Sequence, residues 1–333
     1  MNRSLKFSIF FAPFICLFLL VNDAESSDLK KTFVKVKEME ILRARFGSGS
    51  DEIGITSSSE CEPIAEGPTS FALSKDEEIY ILDQVNSRIQ VFKGGRRINS
   101  IPLKKDLRFK DIALTPDNKI VLLESFFKNG YEKRSIHILD SNGKTINVIP
   151  LEDGRLIPNS LEVIEILIVR EGKFTGIWVV LENRSVRIAS LDGKSVKRIS
   201  VPGKLSLNGK RVLQAEKIGD ITAVIYRSKE DNLSKWEPEY IVHFEMAIAY
   251  LLGIWDDQKE RIYLGVSLED QSKSYNTIVV FSPEGKELGY LNLFVQSMPH
   301  EIWQSIRVSS EGNIFQMALD EKGVFVRKYT LTE

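Results

Sequence analysis

The chain is poor in the residues that staple small folds or carry metal and redox chemistry. Its 333 residues include two cysteines and three histidines. Cys16 lies in an apolar N-terminal run, which leaves Cys61 alone in the remainder. A lone thiol cannot close an internal disulfide, so the fold must rest on packing. No basic residue flanks Cys61, and it is read as a buried or inert thiol. His137, His243 and His300 have no partner at ligand spacing, and two of them fall at similar alternating strand positions in different repeats. No metal site or other cofactor is therefore expected. The sequence holds no Cys-x-x-Cys-His for covalent haem and no Gly-x-Ser-x-Gly nucleophile turn, and no catalytic residue stands out. Charge of one sign is also lacking. The 45 Lys and Arg residues balance 46 Asp and Glu, a net of −1, so neither nucleic acid nor an anionic membrane is an expected partner.

Long hydrophobic runs are missing too, except at the N-terminus. Arg3 and Lys6 precede an apolar run from Phe7 to Val21, and small residues follow at Ala24, Ser26 and Ser27. This pattern predicts a secretory signal peptide, residues 1–24, cut after Ala24 or Ser26. The run falls short of the ~20 residues of a stable span and Pro13 interrupts it. Taking Arg3 and Lys6 from the 45 basic residues and Asp23 from the 46 acidic ones leaves 43 against 45. The expectation is an exported monomer, periplasmic or extracellular, without stable membrane insertion.

What is present is a repeat. A strand, a polar turn and a second strand recur, first as Phe71-Ala72-Leu73, Ser74 to Glu78 and Ile79-Tyr80-Ile81-Leu82. Clear copies follow at Ile112 to Leu123, Ile254 to Leu264 and Ile306 to Phe315, with weaker ones ending at Ile177 to Val180 and Ile221 to Val224. The second strands then begin near 79, 120, 177, 221, 262 and 314, which gives six units spaced like propeller blades. A second marker is a strand followed by a glycine turn, at Gly95, Gly143, Gly193 and Gly285. These glycines are 48, 50 and 92 residues apart, so one blade has lost its glycine, and Ile241 to Phe244 running into Ala247 to Leu252 is assigned to that hairpin. The prediction is an all-β, six-bladed propeller of four-stranded antiparallel blades. The sixth unit reaches its third strand at Val324 to Tyr329, with only four residues after it. The β-forming segment Phe33 to Phe46 is therefore assigned as its outer strand, closing the ring. The layout is a signal peptide (1–24), an N-terminal segment with the closing strand (25–66) and the propeller (67–333).

The first unit carries Glu66-Gly67-Pro68-Thr69, Ile79-Tyr80-Ile81-Leu82-Asp83, Asn86-Ser87-Arg88-Ile89-Gln90-Val91-Phe92 and a glycine turn. Over residues 66 to 95 it resembles an NHL repeat, of the kind in divergent exported bacterial propellers and unlike the RNA-binding NHL proteins of animal cytoplasm. The resemblance implies a ring with a binding face around its axis, and it carries no ligand. Asp83, Asn86 and Arg88 are read as structural, bonding nearby backbone and each other. Gluconolactonase-like propellers place a metal-binding glutamate in a Glu-Gly-Pro lead-in, which makes Glu66 the one candidate ligand of a lactonase reading. That site would need Asn and Asp from other blades, and Asn208-Gly209 sits among Lys204, Lys210 and Arg211, which suits a cation poorly. Trp178 and Trp255 are expected to pack between blades, while Trp236 is a candidate exposed contact. The basic residues from Lys93 to Lys110 are read as a solvated outer edge.

The leading functional expectation is a non-catalytic exported binding or scaffold protein that recognises a protein, peptide or carbohydrate on one ring face. The alternative is the metal-dependent lactonase. The predicted axial mouth is lined by the connections feeding the first strands: Glu66 to Thr69, Lys104 to Lys110, Arg155 to Asn159 and Pro299 to Trp303.

Overall fold

A strand buried on both faces needs apolar residues at every position, not every second one. Ile79-Tyr80-Ile81-Leu82 and Ile120-Val121-Leu122-Leu123 have that composition, and all eight residues are buried. The computed structural model describes residues 35–56, 66–125, 133–230, 232–270, 273–296, 298 and 300–332. The predicted signal peptide and Cys61 lie outside the described residues.

Strand β1 (Val36–Ala44) comes first in the chain. Blade 1 holds β2 (Phe71–Leu73), β3 (Ile79–Asp83), β4 (Arg88–Lys93) and β5 (Arg96–Pro102). Blade 2 holds β6 (Phe109–Leu114), β7 (Ile120–Glu124), β8 (Ser135–Leu139) and β9 (Thr145–Pro150). A 3-10 turn, Ser160–Glu162, leads to blade 3. Its strands are β10 (Glu165–Val169), β11 (Gly176–Leu181), β12 (Arg184–Ala189) and β13 (Ser195–Pro202). Blade 4 holds β14 (Lys204–Leu205), β15 (Val212–Gly219), β16 (Thr222–Ser228) and β17 (Trp236–His243). Blade 5 holds β18 (Ala247–Asp256), β19 (Ile262–Glu269), β20 (Ser274–Phe281) and β21 (Glu287–Leu293). Blade 6 supplies β22 (Ile306–Val308), β23 (Ile314–Asp320) and β24 (Gly323–Leu331), and β1 is its fourth strand.

The closing pair is antiparallel, with Val36 opposite Leu331 and Ala44 opposite Val324. Arg43 on β1 bonds Asp320 at 2.8 Å, which ties the closing strand to the β23–β24 turn. The six-bladed ring, and its closure by the N-terminal strand, match the sequence expectation.

The core is divided among the seams between blades. Alternate side chains of each strand point to opposite neighbours, so Ile79 and Ile81 pack with blade 6 while Tyr80 and Leu82 pack with blade 2. Further clusters fill the seams between blades 2 and 3, 3 and 4, 4 and 5, and 5 and 6. The turn glycines 95, 143, 193 and 285 have φ between 75° and 90°, a left-handed region that a side chain would strain.

Blade 4 departs from the sequence assignment. Its second strand is β15, and Ile221 to Val224 belongs to the hairpin leading into the third strand. Ile241 to His243 ends the fourth strand, and Ala247 to Leu252 opens blade 5. The glycine-free hairpin is the loop bonded between Lys229 and Lys235. The first strand, β14, has only two residues, too few for a hydrophobic pattern to show. His137 and His243 consequently lie on a third and a fourth strand and are not equivalent. Trp236 begins β17 and packs against the seam between blades 3 and 4, where Trp178 is fully buried.

Asp83 shows why the first blade keeps its motif. Fully buried, it accepts from Gly54 N (2.8 Å), Asn86 Nδ2 (2.9 Å) and Arg88 Nε (2.8 Å). Arg88 also donates to the carbonyls of Gly49 and Glu52. The three residues hold the connection between β1 and blade 1 against the ring.

Candidate axial site

The first strands β2, β6, β10, β14, β18 and β22 surround the ring axis, and a cavity of about 440 Å³ among them draws its lining from all six blades. Each first strand runs from the connection that feeds it to the turn that leads to the second strand. The two ends of the axis are therefore built from different parts of the sequence.

The feeding end is closed. Trp303, on the connection into blade 6, reaches across the axis to blade 3 and donates its indole N–H to Ile164 O at 2.6 Å. Lys110 Nζ sits 3.1 Å from the centre of the Trp303 ring. Arg307, the middle residue of β22, follows four residues later. Its Nη2 donates to Asp111 Oδ1 (2.5 Å), Ser70 Oγ (3.1 Å) and Ile112 O (3.1 Å), and its Nε donates to Phe71 O (2.9 Å). Asp111 has no exposed surface and also accepts from Ser70 Oγ, Ile112 N and Ile166 N. This knot joins blades 1, 2, 3 and 6, and the carboxylate's charge is balanced by four donors.

The opposite end is open. Its rim is formed by the turns after the first strands, with Lys75, Arg170, Glu171, Lys210, Glu260 and Glu311 among the lining residues. Lower on the wall, Lys204 on β14 pairs with Glu165 on β10 at 2.5 Å. Asp256, at the end of β18, is buried, and burial pushes its carboxyl up to about 7. The Leu207 N–H and Lys204 oppose that rise, and Asp257 adds to it. Both Asp256 oxygens accept from Leu207 N at 3.1 Å. The Trp255 ring lies over Gly253 and Gly265, where an added Cβ would come within 2.7 and 2.9 Å of it.

Among the described residues, none of the four feeding segments expected to form the mouth contributes to this lining. The prediction placed the opening at the wrong end, because Trp303 and the Arg307 knot fill the feeding side. Glu66 is exposed, its backbone paired with Thr56, and it takes no part in the cavity. Asn208 does line the cavity, as part of the turn after β14. Among the described residues, no group of three His, Cys, Asp or Glu side chains is placed to hold a metal ion. The histidines lie elsewhere: His137 beside Glu124, His243 beside Thr222 and His300 beside Thr56 O. Arg96 to Ser100 on β5 form an outer edge with mostly exposed residues, as expected, but Lys104, Lys105 and Arg108 lie in the connection to blade 2 and Lys110 lies on the first strand β6. Sequence reasoning missed Asp111, Glu165, Lys204, Asp256 and Arg307. Asp111 and Arg307 interrupt apolar first strands, and Glu165 and Asp256 stand at the ends of others, which is the available signal; Lys204 opens a strand too short to show one.

No protein-family model matches the chain, and no curated protein matches it in sequence. Solved structures do resemble it in shape. A gluconolactonase from Xanthomonas campestris superposes with a TM-score of 0.50 at 11% identity, covering 92% of this chain and 96% of that one. A virginiamycin B lyase from Staphylococcus aureus gives 0.41 at 13% identity, covering 90% and 99%. Both likenesses concern the fold.

Proposed function

We propose that the chain is an exported, non-catalytic binding propeller, distantly NHL-like, that takes a peptide segment into its axial cavity from the face bearing the turns after the first strands. The observation that carries this reading is a cavity of about 440 Å³, closed at one end and open at the other, with a lining shared by six blades. That volume falls within the ~300–1,000 Å³ of small-ligand sites. Its walls combine aliphatic residues such as Leu73, Leu114, Leu167 and Ile168 with charged groups of both signs. Aliphatic walls favour peptide side chains over a saccharide, whose hydroxyls need polar partners throughout. The lining contains no Ser–His or Cys–His pair, and Asp256 is already engaged by backbone. The alternative of a metal-dependent lactonase has no observation in its favour, since Glu66 stands outside the cavity.

The test is selection of displayed peptides, alongside a glycan array, on the wild-type protein and on Ser310→Trp. Ser310 lines the open end, where an indole would obstruct access. Peptides should be enriched by the wild type and lost with Ser310→Trp at unchanged melting temperature. Enrichment that survives the substitution, or binding to glycans alone, would overturn the reading.

A further inference from the structure

We propose that the group received at the closed end of the cavity is a peptide's free C-terminal carboxylate, seated on Nη1 of Arg307; this rests on the peptide-binding reading above. Arg307 lines the cavity and its side chain is 17% exposed. Its Nε and Nη2 make the bonds to Phe71, Ser70, Asp111 and Ile112 already described. Nη1 has no hydrogen bond among the described residues, and it is not one of the buried unpartnered atoms, so solvent reaches it. The guanidinium is thus fixed by four acceptors on one side and presents a donor nitrogen on the other. A cation held this way loses little side-chain entropy when an anion arrives.

The charge balance allows a second carboxylate here. Asp111 shares its charge among Ser70 Oγ, two backbone N–H groups and Arg307, so it does not consume the guanidinium's whole field. Lys204 supplies a second cation on the wall, held by Glu165. Nearer the mouth, Lys75 and Arg170 add positive charge against Glu171, Glu260 and Glu311. Arg170 helps lower the Glu311 carboxyl, and Lys210 pairs with Glu260. Of the two other anions that line the cavity, Glu77 pairs with Lys328 on β24, and Asp256 is protonated in part of the molecules near neutrality, which reduces its repulsion of an incoming carboxylate. Leu167, Ile168, Val308 and Trp255 offer an apolar wall for the terminal side chain.

The probe is a pair of N-acetylated pentapeptide pools, identical except for a free-acid or an amidated C-terminus, titrated against the wild-type protein. The free-acid pool should bind at least tenfold more tightly. In Arg307→Lys, which keeps a positive charge but not the fork, that preference should shrink severalfold. Should Arg307→Lys fail to fold, the acid–amide comparison in the wild type still decides. Equal binding of acid and amide would overturn the carboxylate inference and leave the peptide-binding reading standing. If neither pool binds, both fall.

Discussion

The two ends of the ring axis are built from the same six strands and behave oppositely. At the feeding end, charge is buried and matched: Asp111 meets Arg307, Ser70 and two backbone amides, with Trp303 across the top. At the turn end, charged residues line a rim reached by solvent, and Lys75 has no partner among the described residues. The difference teaches that polar groups on a propeller axis can tie blades together or stay open to solvent, and that Arg307, bonded through Nε and Nη2 but not Nη1, does both. Burial and the number of satisfied bonds decide which holds for each atom.

Removing the tie should have the largest effect. Asp111→Ala leaves Arg307 without its counter-ion and exposes two amide N–H groups to an apolar void, at a cost of about 3–5 kcal/mol in denaturant unfolding. A cost below about 1 kcal/mol would mean that the closed end does not hold the blades together.

Asp256 lies between the two regimes, and its effect should come next and depend on pH. Its folded carboxyl is raised to about 7 from a reference of 3.8, so the folded state holds the proton more tightly than the unfolded state. Its contribution is fully present below pH ~4 and is lost as pH rises through about 7. Asp256→Asn should raise stability at pH 8 by roughly 2–4 kcal/mol and flatten the fall between pH 5 and 8. Unfolding curves of both proteins across that range would check it. An unchanged pH slope would show that Asp256 ionises in the fold as it does in water.

Trp303→Ala should cost about 1–2 kcal/mol, from the lost indole bond and the Lys110 contact. It should also speed hydrogen exchange at the Ile166 amide by opening the closed end. Lys75→Ala, at the rim, should shift stability by no more than about 0.5 kcal/mol, since exposed charges contribute little. Its effect should appear in titration with the free-acid pool, as a loss of affinity of a few fold.

Legibility in the sequence followed the same division. Blade 1 was readable because its strands are apolar throughout and its Asp83–Asn86–Arg88 set is local, closing within five residues. The closing strand was readable because blade 6 lacks a fourth strand of its own, and β1 supplies it. Blade 4 was misread by one strand because β14 is two residues long and its third hairpin has no glycine. The direction of the cavity was hidden for a different reason. It depends on the Trp303–Ile164 bond between residues 139 apart, and no local pattern announces such a contact. The charges of Asp111 and Arg307 are visible within apolar first strands. Nothing in the sequence tells a buried tie between blades from a charge that faces the cavity.

The measurement that tests the account most directly is hydrogen exchange on the wild-type protein, with and without a peptide selected for binding. The account predicts slowed exchange in the turns after the first strands, at residues 74–78, 170–175, 206–211, 256–261 and 309–313. The feeding segments 103–110, 155–164 and 300–305 should be unchanged. Protection confined to the feeding segments would contradict it and return the binding face to the end that Trp303 closes.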